Sequence, residues 1–523
     1  HDGRRRVAAA RGKTERGEQH GERGRAHRKR VLGLRVATRP GAAVPCASDG
    51  VNFRPFRLPT PALVLFSLAV YIAFQLGVGA WVSRRIYTED DYLLAGRRLG
   101  PVLGTFSIFA TWFGAETCIG SAGAIYDGGL AAGHADPFGY GLCLLLMGLI
   151  LARPLYRRGL TTLADLYRQR YGPTAERWAV VLMIPASILW AAAQVRAFGD
   201  VLAHASGLDP LVGVTVAAAV VIVYTAWGGM LADAYTDLIQ GVALLVGLIV
   251  LFVLVWTSGG GEALARVPVE RWNPMQGFDG LDGVEKWLVP ICGSVVAVEL
   301  VSRVISCRSE AVAVRSTLSA SALYFAAGMI PALLGLMGAV LHPGLLNGET
   351  LLPMLADTYL PPALGLVFTG ALVSAILSTV DSTLLVSGAL VSHNILIPLW
   401  PRPLSEAQKV RLARLSVAVL GVVAYGLALG SEGVYALVEE ASAFGSSGLF
   451  VAVVMGLLTQ RGGAYAALGA MGTGFVVYLV GDKILAWPQP YTLSLVAAFA
   501  AFFVGAWFDE RSAATAQPAI AEA

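Results

Sequence analysis

Apolar stretches long enough to cross a lipid bilayer recur along most of this chain, and they limit what it can fold into. Leu238–Trp256 and Ala62–Val82 are two examples. A run of about 18 or more apolar residues is typical of a membrane-spanning helix. In lipid the backbone must satisfy its own hydrogen bonds, and these runs lack the period-two alternation of barrel strands. We therefore expect an all-α polytopic membrane protein.

The composition agrees with a membrane solvent. Of the 523 residues, 56% are hydrophobic and only 14% are charged, whereas a soluble protein has about 25% charged residues. The apolar pattern predicts about thirteen transmembrane helices. Their approximate limits are 60–83, 101–126, 137–153, 176–204, 210–228, 231–257, 284–305, 315–341, 360–394, 410–430, 433–459, 464–484 and 489–508.

Residues 1–50 differ from the rest because they carry thirteen Lys and Arg against five Asp and Glu, with almost no apolar periodicity. One interpretation is a basic tail that binds anionic lipid or nucleic acid. We favour another, an upstream extension of the coding sequence. The chain begins with His, and the polar lead into the first predicted span starts at Val51.

Basic residues predict the orientation. With thirteen spans the termini lie on opposite sides of the membrane. If the loop after the first span is cytoplasmic, that side holds nineteen of the Lys and Arg that follow residue 50, and the other side holds six. The positive-inside rule then places the N-terminus outside and the C-terminus in the cytoplasm, in the inner membrane of a cell.

Glycine and proline interrupt two of the predicted spans. The second span contains Thr111–Gly123 (TWFGAETCIGSAG), and the seventh contains Pro290–Ser294 (PICGS). Broken spans at matching positions in two halves are the best sequence indication of a transporter site, because released backbone groups must line a cavity or bind something. The alternative is that these glycines only allow close helix packing.

A pair of hydroxyl residues in the ninth span forms a second candidate site. Residues three and four apart share a helix face, so Ser378 and Thr379 are predicted to lie beside the Ala375 carbonyl. Hard cations prefer oxygen ligands, and carbonyls from the broken second span could complete a sodium site. The alternative is that both hydroxyls bond back to their own helix or join helices together.

Several motifs in order resemble the sodium:solute symporter family, which includes proline, pantothenate, sugar, iodide and choline transporters. The resemblance covers 51–509. It is carried by Asp90–Arg98 after the first span, Thr236–Gln240 in the sixth span, Ser378–Ser382 in the ninth, and Ala110–Trp112, which resembles the choline branch. The resemblance implies a LeuT-type fold, in which two inverted five-helix repeats have one helix before them and two after.

That fold implies a division of the chain. Its parts are residues 1–50, the first span and loop (51–99), the first repeat (100–257), an outer loop (258–283), the second repeat (284–459), two final spans (460–509) and a short cytoplasmic tail (510–523). No soluble domain of useful size remains.

The resemblance also implies site residues. Sodium would be held by the carbonyls of Ala110, Phe113 and Ala375 and the hydroxyls of Ser378 and Thr379, and Asp237 would lie on the ion release path. Three positions that are expected to contact the solute depart from other branches. Gly293 stands where sugar transporters have a gating Tyr, Thr117 where they have a sugar-binding Gln, and Trp112 where proline transporters have an Asp. Glucose and proline are therefore poor candidates for the solute.

Six ionisable residues lie inside predicted spans: Glu116, Arg196, Asp200, Glu299, Asp381 and Glu439. Such residues usually face a cavity or a partner. Arg196 and Asp200 are predicted to form an ion pair. Glu116 and Glu299 either contact the solute or join a polar network between helices. A cationic amine would suit Glu116, with Trp112 or Trp190 adding a cation–π wall. Asp381 either tunes the ion site or pairs with a basic residue.

These features predict a sodium-coupled symporter that imports a small organic solute such as an amine, an amino acid or a related metabolite. Its expected partners are the solute, sodium and the lipid bilayer, with no nucleic acid. A proton-coupled carrier that titrates Asp381 or Glu116 is one alternative, and a membrane sensor without transport is another. An enzyme is the weakest candidate, because no nucleophile–base or metal constellation is visible.

Overall fold

The computed structural model describes residues 61–114, 116–430, 438 and 441–521. The predictions for residues 1–50, for the start of the first span at residue 60 and for Glu439 lie outside the described residues. Within them, helices are the regular structure, and the sole β-bridge joins Leu99 and Cys307. The described residues belong to one unit, Pro55–Ala523.

The first ten helices run from the first predicted span to the outer loop. They are α1 (Pro61–Ser83), α2 (Glu89–Leu94), α3 (Pro101–Trp112), α4 (Ser121–Gly128), α5 (Tyr140–Leu146), α6 (Ala152–Arg157), α7 (Ala164–Tyr171), α8 (Pro173–Ser206), α9 (Pro210–Val255) and α10 (Gly261–Ala265).

The next ten helices complete the described chain. They are α11 (Gly280–Leu288), α12 (Val298–Ile305), α13 (Glu310–Leu341), α14 (Leu351–Tyr359), α15 (Pro362–Ala389), α16 (Ile397–Leu399), α17 (Glu406–Leu429), α18 (Ser446–Leu458), α19 (Ala464–Leu479) and α20 (Pro490–Ala521).

Short turns connect many of these helices. Single 3₁₀ turns occupy Ala95–Arg97, Leu130–Gly133, Val269–Trp272 and Gly348–Thr350. Wider π-type turns occupy Glu116–Gly120, His134–Gly139, Met147–Leu151, Trp256–Gly260, Val289–Gly293, Leu390–Leu396 and Val480–Ile484. π-type turns are often found at functional sites, and two of these seven adjoin the breaks predicted in the second and seventh spans.

Among the described residues, eight helices are long and apolar enough to cross a membrane, and two bent pairs bring the number to as many as ten. Two features separate these figures from the thirteen predicted spans. Residues 210–265 count as one candidate span of 56 residues although α9 bends at Gly229 within it, and Ala69–Ser83 and Ser446–Leu458 are shorter apolar helices.

The long helix α9 contains a bend at Gly229, between the fifth and sixth predicted spans. Gly229 has φ 61° and ψ −178°, a conformation that is essentially restricted to glycine. A β-carbon at this position would also lie 2.8 Å from the carbonyl oxygen of Tyr92. The close approach of α2 and the backbone conformation therefore both require glycine here.

Apolar side chains are both buried between the helices and exposed around them. On α9, Ile239, Val242, Val246, Ile249 and Val253 are all exposed. Their spacing of three to four residues places them on one helix face. The opposite face of α9 packs on α15. An outward apolar face beside a buried one is what a lipid solvent requires, and it supports the assignment to a membrane.

Candidate ion and solute site

The first broken helix consists of α3 and the residues that follow it. α3 begins with Pro101, which suits the first turn because no helical partner is needed for its nitrogen. The helix ends at Trp112, and Phe113 leaves the helical region with φ −92° and ψ 72°. Helix resumes over Glu116–Gly128 at an angle of 58°. The last carbonyl groups of α3 are therefore released from the helical ladder.

Thr379 on α15 lies against the end of α3. Its hydroxyl oxygen is 3.5 Å from the carbonyl oxygen of Ala110 and 3.3 Å from that of Ala375. Ala375 is one turn earlier on the same helix, but Ala110 belongs to the broken one. Three of the five oxygens predicted to hold sodium are thus brought together, and Phe113, which would supply a fourth, is the residue at which α3 stops.

Ser378 differs from the prediction that its hydroxyl lies beside the Ala375 carbonyl. The Ser378 hydroxyl instead donates to the Oδ1 atom of Asp237 on α9. The other carboxylate oxygen of Asp237 accepts a hydrogen bond of 2.7 Å from Ser107 on α3. Asp237 therefore contacts one of the predicted sodium ligands directly and connects α9 with α3 and α15.

The second broken helix comprises α11, the turn Val289–Gly293 and α12, and its two parts are bent by 41°. A β-carbon at Gly293 would lie 2.3 Å from the carbonyl oxygen of Ser442. Only glycine permits this approach of the seventh span to the segment before α18. Both spans that the sequence predicts as broken are broken in the structure.

A cavity lies beside the second break. Gly293 and Glu299 contribute to its walls from the broken helix, Trp190 from α8, and Ser442 from the segment before α18. The Oε1 atom of Glu299 accepts a hydrogen bond of 2.7 Å from Ser187. Two residues predicted to contact the solute therefore line one cavity, together with an aromatic side chain.

Three aromatic rings form a cluster that connects this cavity with the first break. The ring centroids of Trp112 and Trp190 are 5.4 Å apart, and both rings pack on Tyr140, at 5.4 Å and 6.2 Å. Neither indole N–H has a hydrogen-bond partner among the described residues. The cluster therefore presents aromatic surface and two polar N–H groups between the two broken helices.

Glu116 begins the helical segment after the first break, and its side chain is only 1% exposed. One carboxylate oxygen, Oε2, accepts a hydrogen bond of 2.5 Å from Gln194 on α8. The other, Oε1, has no partner among the described residues. Glu116 does not line the cavity beside Glu299.

Thr117 belongs to a buried triad that sequence reasoning missed. Its hydroxyl lies 2.5 Å from the Oδ2 atom of Asp136 and 2.8 Å from the hydroxyl of Tyr324. Tyr324 donates to the Oδ1 atom of Asp136 at 3.0 Å. Because the third span is predicted to start at residue 137, Asp136 falls one residue outside it. A slightly earlier limit would identify it as a carboxylate within the membrane.

Arg303 occupies the centre of a second polar junction. Its side chain is fully buried and forms an ion pair with Asp233 on α9. It also donates to Ser382 on α15 and, at 3.2 Å, to Thr111 on α3. This junction joins four helices, including both broken ones. Sequence reasoning counts Arg303 only as a charge at the cytoplasmic side.

Asp381 lies beside this junction without a basic partner of its own. Its Oδ1 atom accepts a hydrogen bond of 2.8 Å from the backbone N–H of Ser382, and its Oδ2 atom has no partner among the described residues. Asp381 lines a small pocket with Asp233 and Tyr224.

The predicted ion pair of Arg196 and Asp200 is confirmed, with 2.9 Å between nitrogen and oxygen.

Known proteins share both the sequence pattern and the fold. The chain is 27% identical to the high-affinity choline transporter 1 of Drosophila melanogaster, over 72% of this chain and 63% of that protein. It is 24% identical to the osmoregulated proline transporter OpuE of Bacillus subtilis, over 80% of this chain and 88% of that one. The solved structure of a Na⁺-coupled sialic acid symporter, bound to substrate and open to the outside, superposes with a TM-score of 0.76. It has 19% identity and covers 86% of this chain and 97% of that one.

The structural likeness shows that the helices are arranged as in LeuT-type symporters. The choline and proline transporters are transport proteins rather than enzymes. The model of the sodium:solute symporter family matches residues 92–474, which include both breaks and the Thr379 contact. On this match, the chain belongs to the sodium:solute symporter family.

Proposed function

We propose that the protein is a sodium-coupled symporter that imports a small organic cation by alternating access. The observation that carries this proposal is the contact of the Thr379 hydroxyl with the Ala110 and Ala375 carbonyls, at the point where α3 is interrupted. Family membership supports sodium as the coupling ion.

The proposed sodium ligands are the three carbonyls of Ala110, Phe113 and Ala375 and the hydroxyls of Ser378 and Thr379. In this structure the Ser378 hydroxyl donates to Asp237. When sodium binds, a small rotation of Ser378 would turn its oxygen towards the ion. The carboxylate of Asp237 would then accept the ion when it leaves for the cytoplasm.

The proposed solute site is the cavity beside the second break and the aromatic cluster next to it. A ring face attracts an organic cation, and the attraction is stronger when the cation has lost its water. Trp190 provides such a face at the cavity wall, with Trp112 and Tyr140 packed behind it, and Glu299 provides a buried carboxylate at the same wall. Relatives that transport choline and proline are compatible with an amine or an amino acid as the solute class.

Coupling would follow from shared use of the broken helices. If sodium and the solute both stabilise the same arrangement of α3 and α12, each raises the affinity for the other, because binding linkage is reciprocal. One positive charge that moves through 100 mV contributes about 2.3 kcal/mol, and a tenfold gradient adds about 1.4 kcal/mol. One sodium could then support about 500-fold accumulation of a solute, and the membrane potential adds about 2.3 kcal/mol for the charge of an organic cation.

The architecture that we propose has thirteen membrane crossings, with residues 100–257 and 284–459 as inverted repeats. The two bent pairs, the bend at Gly229 and the two shorter apolar helices support this count. The excess of basic residues in the loops supports a cytoplasmic C-terminus and an outside N-terminus in the inner membrane.

Proteoliposomes provide the test of this function. Purified protein is reconstituted, and uptake of radiolabelled amines, amino acids and carboxylates is followed under an inward sodium gradient. We expect uptake of a cationic amine that requires sodium and increases when the interior is made negative. Uptake driven by a pH gradient without sodium would favour a proton-coupled carrier, in which Glu116 or Asp381 binds the proton. Absence of flux for every solute would favour a sensor.

A further inference from the structure

Asp136, Glu299 and Glu116 are three of the buried carboxylates near the two breaks, and they differ in what satisfies them. Both oxygens of Asp136 accept hydrogen bonds, from Thr117 and from Tyr324. Glu299 accepts a hydrogen bond from Ser187 and faces the cavity. Glu116 alone of the three has a buried oxygen without a hydrogen-bond partner among the described residues.

The position of Gly114 relates Glu116 to the proposed ion site. A β-carbon built on Gly114 would lie 2.7 Å from the Oε2 atom of Glu116 and 2.8 Å from the hydroxyl oxygen of Thr379. The amide oxygen of Gln194 lies 3.2 Å from the same point. Three oxygens from three helices therefore surround one point that is open only because residue 114 is glycine. The point itself is one bond length from the Cα atom of Gly114, so a single cation would bind beside Gly114, among the three oxygens that converge there.

The charge of Glu116 requires compensation. The side chain is 1% exposed, and no basic side chain contacts it within the part of the chain that the structure describes. Its hydrogen bond from Gln194 is made by a neutral amide, and its neighbour Asp136 is another acid. An unpaired carboxylate in a dry interior is strongly unfavourable, so Glu116 takes up either a proton or a cation, and the oxygens of Thr379 and Gln194 beside it favour the cation.

We propose that Glu116 is a charged ligand of the co-transported cation, so that the ion site contains a carboxylate beside Thr379 rather than neutral oxygens alone. This inference rests on the proposed function, and it assigns the two glutamates different roles. Glu116 binds the ion, with Gln194 orienting its carboxylate. Glu299 faces the organic cation in the cavity. An anionic ligand favours a small hard cation over a larger one, since the electrostatic attraction increases as the distance to the carboxylate decreases.

The test uses sodium itself as the probe. The thermal unfolding midpoint of the full chain in detergent is measured against NaCl concentration, with KCl holding the ionic strength constant. A ligand that binds only the folded state raises this midpoint. We expect Glu116→Gln to raise the sodium concentration at half-effect by about tenfold or more, which corresponds to about 1.4 kcal/mol. Gly114→Ala keeps the carboxylate but fills the point between the oxygens, and it should produce the same shift.

Glu176→Gln is the matched control, because Glu176 is another buried glutamate that bonds to Asn394 at 2.8 Å, away from both breaks. It should leave the half-effect concentration unchanged. An unchanged value in both Glu116→Gln and Gly114→Ala would overturn the inference. If Glu116→Gln does not fold, Glu116→Asp, which keeps the acid but shortens its reach by one methylene, decides alone. A wild-type protein without any response to sodium would contradict the sodium coupling itself, which separates the two failures.

Solute uptake distinguishes the two glutamates. At saturating sodium, Glu299→Gln should raise the solute KM by about tenfold, whereas Glu116→Gln should change mainly the sodium requirement. A raised solute KM for Glu116→Gln, with an unchanged sodium requirement, would place Glu116 at the solute and contradict the proposal.

Discussion

Removal of one charge from the Arg303 junction tests how the four helices around it are held together. In Asp233→Asn the guanidinium of Arg303 stays buried, but its carboxylate partner is replaced by a neutral amide. The other groups that contact it are neutral: the hydroxyls of Ser382, Thr111 and Ser302 and the sulfur of Met230. Breaking a buried ion pair by removing one partner costs about 3–5 kcal/mol. We expect the free energy of unfolding to fall by about that amount.

Unfolding by denaturing detergent in mixed micelles, followed by tryptophan fluorescence, measures this change. Asp200→Asn is the matched control, since Asp200 forms a half-exposed ion pair with Arg196 on α8. Exposed pairs contribute about 0–1 kcal/mol, so the control should change little. The double variant Asp233→Leu with Arg303→Met should regain most of the loss, because it buries no unpaired charge. A loss below about 1 kcal/mol for Asp233→Asn would refute the reasoning.

Three further predictions concern the solute, the bend in α9 and the response to acid. Trp190→Ala should raise the KM for a cationic amine by about tenfold in the uptake assay, with little change in sodium requirement. Gly229→Ala should lower the unfolding free energy by about 1–3 kcal/mol, whereas Gly426→Ala, which meets no atom within 4 Å, should not. Burial would raise the pKa of Asp165, but hydrogen bonds from His393 and backbone amides lower it below its usual value. The stability lost in Asp165→Asn should therefore be largest at neutral pH and disappear as the pH falls below about 4. A loss of stability in Asp165→Asn that stays the same at acid pH would contradict a lowered pKa of Asp165.

The spans and the two breaks could be predicted because each depends on local sequence. Long apolar runs indicate spanning helices wherever they occur, and Gly114 and Pro290 mark places where a helix in lipid loses its hydrogen bonds. Thr379 beside Ala375 follows from helical periodicity alone. These features require no knowledge of which helices are neighbours.

The polar junctions could not be predicted in this way. Arg303 and Asp233 are separated by 70 residues, and Thr117 and Tyr324 by 207. Such contacts depend on how helices pack, which no local pattern reports. The direction of the Ser378 hydroxyl could not be predicted for the same reason, because it is determined by Asp237 on another helix.

A structure determined in sodium and again in potassium tests the central claim most directly. The account predicts a sodium-dependent density at the break in α3, about 2.3–2.6 Å from the Thr379 hydroxyl and the Ala110 and Ala375 carbonyls, a distance typical of larger hard cations. It also predicts that this density weakens or disappears in potassium. Sodium bound elsewhere, with no density at the break, would contradict the account, as would a continuous helix through Phe113.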